Sequence, residues 1–290
     1  MSTIIRPLAV IAACFAASAQ AAVIINYPDF SSTAGLTMVG SAMQKGNELQ
    51  ITPNAFSQAG AAYSTSAVTL GANATFSTTF RFRFTNPGGF VGSPADGITF
   101  VIAQSSNGLG SGGGALGYGG VGNSVALEFD TYNNVADNVN ENDNNHIAIL
   151  TNGSVQGSPS DQNLVNPYHR QFCDFGANPY TAPGCMSNGD IWTVTVGYDG
   201  TNLDMVVQDG NNAPFIIYNN LPINIASIIG TNNAFVGFTG GTGSGFEQQN
   251  ILSWVLANDT TLAPSVPEPG TLALLGLGLA GFAASRRRRR

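Results

Sequence analysis

Phe76-Ser-Thr-Thr-Phe80-Arg-Phe82-Arg-Phe84 is the stretch on which the fold turns. Successive side chains of a strand point to opposite sides, so Phe76, Thr78, Phe80, Phe82 and Phe84 share one face and Arg81 and Arg83 take the other. The same period of two, bounded by Gly, Asn, Ser and Pro, recurs at 97–104, 124–132, 146–150, 191–198, 203–207, 215–218, 234–238 and 251–256. No convincing amphipathic helix intervenes. Many short strands without helical crossovers predict an all-β chain whose antiparallel sheets pack as a sandwich or jelly roll. There is no internal repeat of fixed period.

The two ends have a different character. MSTIIRPLAVIAACFAASAQA carries one Arg near its start, an apolar stretch from Pro7 to about Ala17 and a small-x-small site at Ala19-Gln20-Ala21. That is the pattern of a secretory signal peptide over residues 1–21, with a mature start near Ala22. At the other end Val266-Pro267-Glu268-Pro269-Gly270 precedes an apolar run, Thr271 to Ala284, and then five arginines, Arg286 to Arg290. The run is shorter than the roughly 20 residues that span a bilayer comfortably. It would cross only with bilayer thinning or arginine snorkelling, leaving the arginines cytoplasmic. This tail resembles the PEP-CTERM sorting signal of Gram-negative bacteria. The resemblance implies a precursor held in the inner membrane, removal of the tail by an exosortase, and delivery to the cell surface or extracellular matrix. The chain then divides into a signal peptide (1–21), one β-sandwich (22–260) and a sorting tail (261–290).

Removing both ends changes the charge. Between Ala22 and Ser265 only Lys45, Arg81, Arg83 and Arg170 are basic against sixteen carboxylates, a net charge of −12. Nucleic acid and anionic membrane are therefore poor partners of the mature region, and cations are good ones. Of the three cysteines Cys14 leaves with the signal peptide. Cys173 and Cys185 remain in a turn-rich segment of an exported chain, which predicts one disulfide stapling a loop.

One strand carries the chemistry. In Ser124-Val-Ala-Leu-Glu128-Phe-Asp130-Thr-Tyr132, alternation puts Val125, Leu127 and Phe129 on one face and Glu128, Asp130 and Tyr132 on the other. Two carboxylates that close repel each other unless a cation sits between them. The following loop, from Asn133 through Asp137, Glu141 and Asp143 to Asn145, is dense in oxygen ligands, which suit calcium. It returns at His146, whose nitrogen suits a transition ion such as manganese. His169 has no such partner pattern and reads as a loop histidine.

Glu128-Phe-Asp130-Thr-Tyr132-x-Asn134 with His146-Ile-Ala-Ile resembles the metal-binding core of the legume (L-type) lectins. Further blocks agree in order: Gln58 to Tyr63, Ala95 to Phe100, Gly113 to Gly117, Val236 to Gly243 and Ile251 to Trp254. The resemblance implies a concanavalin-like sandwich that is not an enzyme. It makes Glu128, Asp130 and His146 manganese-type ligands, with Asp130 reaching calcium together with Asn134 and the Tyr132 carbonyl. A further carboxylate should bridge both ions; Asp137 is favoured by its distance from Glu128, Asp143 follows closely and Glu141 competes. For sugar it implies Asp96 after a cis Ala-Asp bond, the Gly114 N–H, Asn134, an aromatic platform at Tyr132, and the backbone N–H groups of Ser244 and Gly245. A carboxylate and an amide together satisfy neighbouring hydroxyls while the aromatic face covers the C–H side of the ring. Glycans or exopolysaccharide are the implied partners, and legume relatives often dimerise through a flat sheet.

Two alternatives remain at this point. Glycoside hydrolases of this fold need a pair of flanking carboxylates. Here the places after Asp130 for a third acid hold Tyr132 and Asn133, and no nucleophile-elbow motif exists. A matrix or adhesive protein that keeps the sandwich without sugar binding is the other, motivated by the irregular loop between Asn134 and His146.

Overall fold

The computed structural model describes residues 22–89, 94–106, 108–132, 134, 145–155, 170–171 and 184–262. Residues 1–21 and 263–290, with the expected signal peptide and nearly all of the expected sorting tail, lie outside these residues, as do His169, Cys173 and the acidic loop with Asp137, Glu141 and Asp143. Within them no helix is long and apolar enough to cross a membrane.

Two antiparallel sheets face each other. The first half of the chain contributes β1 (Val23–Tyr27), β2 (Leu36–Gly40), β3 (Met43–Lys45), β4 (Glu48–Thr52), β5 (Ala59–Ser64), β6 (Val68–Thr69), β7 (Phe76–Gly89), β8 (Gly97–Ala103) and β9 (Ser124–Asp130). The second contributes β10 (His146–Thr151), β11 (Arg170–Gln171), β12 (Trp192–Tyr198), β13 (Asn202–Asp209), β14 (Phe215–Pro222), β15 (Asn233–Gly241) and β16 (Gly245–Ala257). One sheet runs β14-β13-β12-β7-β16-β4-β3, with β1 also on β16. The other runs β11-β10-β9-β8-β15-β5-β2, with β6 on β15. This is the sandwich that the alternation predicts. Its single α-helix among the described residues, α1 (Ile225–Ile229), is one short turn. Asn224 caps it by accepting from the Ser227 N–H, and Gly230 ends it in the left-handed region at φ +71.

Period-two patterning explains the core. Phe76, Phe80, Phe82 and Phe84 of β7 are buried, while Arg81 is exposed and Arg83 pairs with Glu48 at 2.7 Å. From the facing sheet come Phe100, Phe129 and Phe238. Phe80 stacks on Phe100 at 5.5 Å and meets Phe129 and Phe238 edge-on at 5.7 and 5.1 Å. Offset and edge-to-face ring contacts such as these join the two layers. Trp254 of β16 closes the cluster at 5.1 Å from Phe238, its indole N–H donating to the Thr78 hydroxyl.

The outer face of the second sheet is covered as well, which alternation alone does not reveal. Ala61, Tyr63, Val101, Ala103, Ala126 and Leu150 point away from the main core yet are buried against Tyr118 and Val121. The glycine-rich segment around 108–121 lies over that face, with the Tyr63 hydroxyl donating to the Gly108 carbonyl. Glu128 and Asp130, on this same side of β9, are consequently enclosed rather than solvated.

Candidate metal centre and binding site

Strand register assembles the cluster. His146 of β10 stands opposite Asp130, and Ala148 opposite Glu128. One ligand atom from each of Glu128, Asp130 and His146 falls within 4.8 Å of the others, and all three residues are buried. His146 Nε2 lies 3.4 Å from Glu128 Oε2. Among the described residues Glu128 Oε1 is buried without a hydrogen-bond partner. A buried carboxylate oxygen is costly unless something compensates it. Two carboxylates and one imidazole form the mixed oxygen and nitrogen donor set that a first-row transition ion accepts. The residues present fit such an ion. Asp130 also accepts from the Tyr132 N–H through Oδ1 at 2.6 Å, which fixes the chain where β9 ends.

Beyond β9 the chain meets three other loops. Ala95–Asp96 is a cis peptide. The Asp96 N–H donates to the Gly241 carbonyl, and the Asp96 carbonyl accepts from the Thr131 N–H at 2.8 Å. Asp96 and Asn134 are both buried, and the Asn134 amide donates from Nδ2 to Asp96 Oδ1 at 3.3 Å. Gly114 packs against that amide so closely that a Cβ there would stand 2.5 Å from Asn134 Cγ and Nδ2. Only a residue without a side chain permits this approach. Gly243 closes the remaining side: its Cβ position lies 3.4 Å from Asp96 Oδ2. Asp96, Gly114, Asn134 and the loop carrying Ser244 and Gly245 thus converge, with Tyr132 half-buried and Ser244 exposed beside them. The structure brings Glu128, Asp130 and His146 together at one end of β9. Asp137 and Asp143 lie outside the described residues.

Glu247 is a site residue that the sequence reading missed. It is fully buried on β16, in the opposite sheet, and accepts from Thr131 Oγ1 at 2.9 Å and from Ser187 Oγ at 2.5 Å. Burial pushes its carboxyl up to about 8, against the lowering effect of the Ser187 and Thr131 hydroxyls, with the Asp96 charge adding to the rise. It is therefore mostly protonated at neutral pH. Its side chain links the far sheet to Thr131, the residue that also holds the Asp96 carbonyl. Counting back by two from the core residue Ile251 places Gln249 and Glu247 inside, a signal that was available in the sequence. Asn145 is a second such support, accepting from the Met186 N–H and donating to the Thr131 carbonyl.

The comparisons with known proteins agree with the fold. A family model described as the legume lectin beta-barrel domain matches residues 26–253, and one for the PEP-CTERM protein-sorting motif matches 265–289. Favin from Vicia faba is 28% identical over 197 residues, covering 65% of this chain and 72% of its own. Among solved structures, a Bauhinia forficata lectin in complex with GalNAc is 25% identical at a TM-score of 0.62, covering 82% of this chain and 98% of its own. The metal-free form of lectin I-B4 from Griffonia simplicifolia, at 23% identity and a TM-score of 0.62, covers 80% and 97% and shares the fold.

Proposed function

We propose, for a chain that belongs to the legume lectin beta-barrel domain family, that it is an exported lectin whose sugar site is organised by bound metal ions. The family is one of non-enzymatic carbohydrate-binding proteins, in line with the expectation of no catalysis. The observation that carries the reading is the convergence of Asp96, Gly114 and Asn134 beside the Glu128, Asp130 and His146 cluster.

In this reading Glu128, Asp130 and His146 hold a manganese-type ion, while Asp130, Asn134 and the Tyr132 carbonyl hold calcium. Asp137 or Asp143 supplies the bridging carboxylate. The ions supply fixed positive charge that neutralises the paired carboxylates. The chain's own residues do the recognition. Asp96 accepts from sugar hydroxyls, and Asn134, aligned by its bond to Asp96, donates its second amide hydrogen or accepts through its oxygen. The backbone N–H groups of Gly114, Ser244 and Gly245 donate, and Tyr132 offers an apolar face to the ring. Small residues at 243–245 leave the pocket open.

The sorting motif at 265–289 supports export. The precursor is held at the inner membrane through 271–284, an exosortase removes the tail, and the mature lectin reaches the cell surface or extracellular matrix, where glycans or exopolysaccharide are its partners. A Cys173–Cys185 disulfide, for which the buried Cys185 is the described half, staples the loop before β12.

A glycan array probed with the mature region in calcium and manganese, repeated in EDTA and with Asp96→Ala, tests this. Binding that both treatments abolish is expected. No hit in any metal would sink the lectin reading, and cleavage of an oligosaccharide would favour a hydrolase.

A further inference from the structure

An aromatic pair stands on the same loop cluster. Phe56, in the connection from β4 to β5, is 56% exposed. It meets Phe246 of β16 edge-on, with ring centroids 4.9 Å apart and planes at 90°. Phe246 lies across Gly88 of β7: a methyl group at Gly88 would stand 2.7 Å from its Cε2 and 2.9 Å from its Cζ. The missing side chain of Gly88 is thus the seat of the ring.

The pair is tied by backbone to the site. The Ser57 N–H donates to the Gly243 carbonyl at 3.0 Å. Gln58 and Thr242 bond reciprocally, the Gln58 N–H to the Thr242 hydroxyl at 2.9 Å and the Thr242 N–H to the Gln58 carbonyl at 3.0 Å. Gly243 is the residue whose Cβ position lies 3.4 Å from Asp96 Oδ2. Along the loop from Gly243 to Phe246 the one intervening side chain is the hydroxymethyl of Ser244. Little side-chain bulk therefore separates Asp96, along this loop, from the half-buried Phe246 and the exposed Phe56 ring against it.

We propose that Phe56 and Phe246 form a second sugar subsite, receiving the apolar C–H face of the pyranose ring linked to the one held at Asp96, Gly114 and Asn134. This rests on the sugar-site reading above. A pyranose presents hydroxyls at its edge and C–H groups on its face. Stacked on a phenyl ring, it buries the face and leaves the edge hydrated, so a subsite of this kind needs no charged partner. Isolated surface hydrophobics are ordinary, but two rings locked edge-to-face over a glycine and joined to a polar site form a built surface. The subsite makes the protein a reader of a linkage rather than of a terminal sugar.

The test is calorimetry on the mature chain in calcium and manganese. The probes are methyl glycosides of galactose, N-acetylgalactosamine, glucose and mannose, and disaccharides ending in each. The best disaccharide should bind more tightly than the matching methyl glycoside. Phe56→Ala should weaken the disaccharide by about five-fold and leave the methyl glycoside within about two-fold. Phe56→Trp should restore the preference, and Gly88→Ala, which displaces Phe246, should lose it. Equal loss for both ligands, or no loss for either, would overturn the subsite while leaving the site at Asp96 intact. A wild-type dimer that Phe56→Ala dissociates without changing the disaccharide preference would overturn it in favour of a self-interface. Failure of the wild type to bind any probe would overturn the site reading and the subsite with it.

Discussion

Glu247→Gln is expected to abolish a fall in stability that the wild type shows as pH rises from about 4.5 towards 8. In the folded protein burial holds the carboxyl at about 8, while its ordinary value is 4.5. Between these values the native state keeps a proton that the unfolded chain has released. The contribution of Glu247 is thus fully present below pH 4.5 and is lost as pH climbs through 8. The slope is about 1.4 kcal/mol of stability per pH unit at its steepest. Accumulated over the window it is a sizeable share of the roughly 5–15 kcal/mol that holds a domain folded. Glutamine keeps the shape, and its amide can meet the Thr131 and Ser187 hydroxyls, which accept as readily as they donate. Urea unfolding of both proteins in EDTA, at half-unit steps from pH 5 to 9, isolates this group because other titrations cancel in the difference. The variant should gain on the wild type steadily up to pH 8 and hold level above it. A difference that stays flat across the range would refute the assignment of a protonated Glu247.

Four further outcomes follow from the geometry. Gly114→Ala places a methyl 2.5 Å from the Asn134 amide, so the amide must leave Asp96. Glycan affinity should fall about ten-fold or more, whereas the melting temperature in EDTA should move by no more than about 3 °C. His146→Ala removes the nitrogen donor and should cost at least the roughly 10- to 100-fold in transition-ion affinity that loss of a mere outer partner costs, read by titration calorimetry with manganese. Phe80→Ala, at the junction of both sheets, should destabilise by about 3–5 kcal/mol. Arg83→Met, which breaks a partly exposed pair with Glu48, should cost about 1 kcal/mol or less; denaturant midpoints distinguish the two.

Alternation located the later strands, β7 to β10 and β12 to β16, because each has a core face of bulky residues set against small or polar ones. It under-read their ends. β7 runs on through Asn86 and Pro87 to Gly89, and β16 begins six residues before Ile251, since these extensions carry glycines and amides rather than apolar side chains. The strands from β1 to β6 left a weak imprint for a related reason: β2, β3 and β6 are short edge elements with half-exposed residues. At the site, Glu128, Asp130 and His146 were legible because local spacing on one strand and its return brings them together. For Glu247 alternation reaches its burial alone; its role, like that of Phe56, depends on pairings between segments far apart in the chain. No rule of local periodicity places Thr131 against Glu247, 116 residues away.

The order of strands has a consequence for when the molecule can exist. β16, the last strand among the described residues, sits inside its sheet, flanked by β7 and β4 and also paired with β1. Its partners were synthesised up to some 230 residues earlier, so the most distant contacts form last and slowly. A growing or translocating chain that has not yet delivered Gly245–Ala257 has a gap where the middle of the sheet should be, with β7 and β4 presenting open edges. Completion of the sandwich therefore coincides with emergence of the segment immediately before the sorting motif. A chain that has emerged as far as that motif has only just become able to fold.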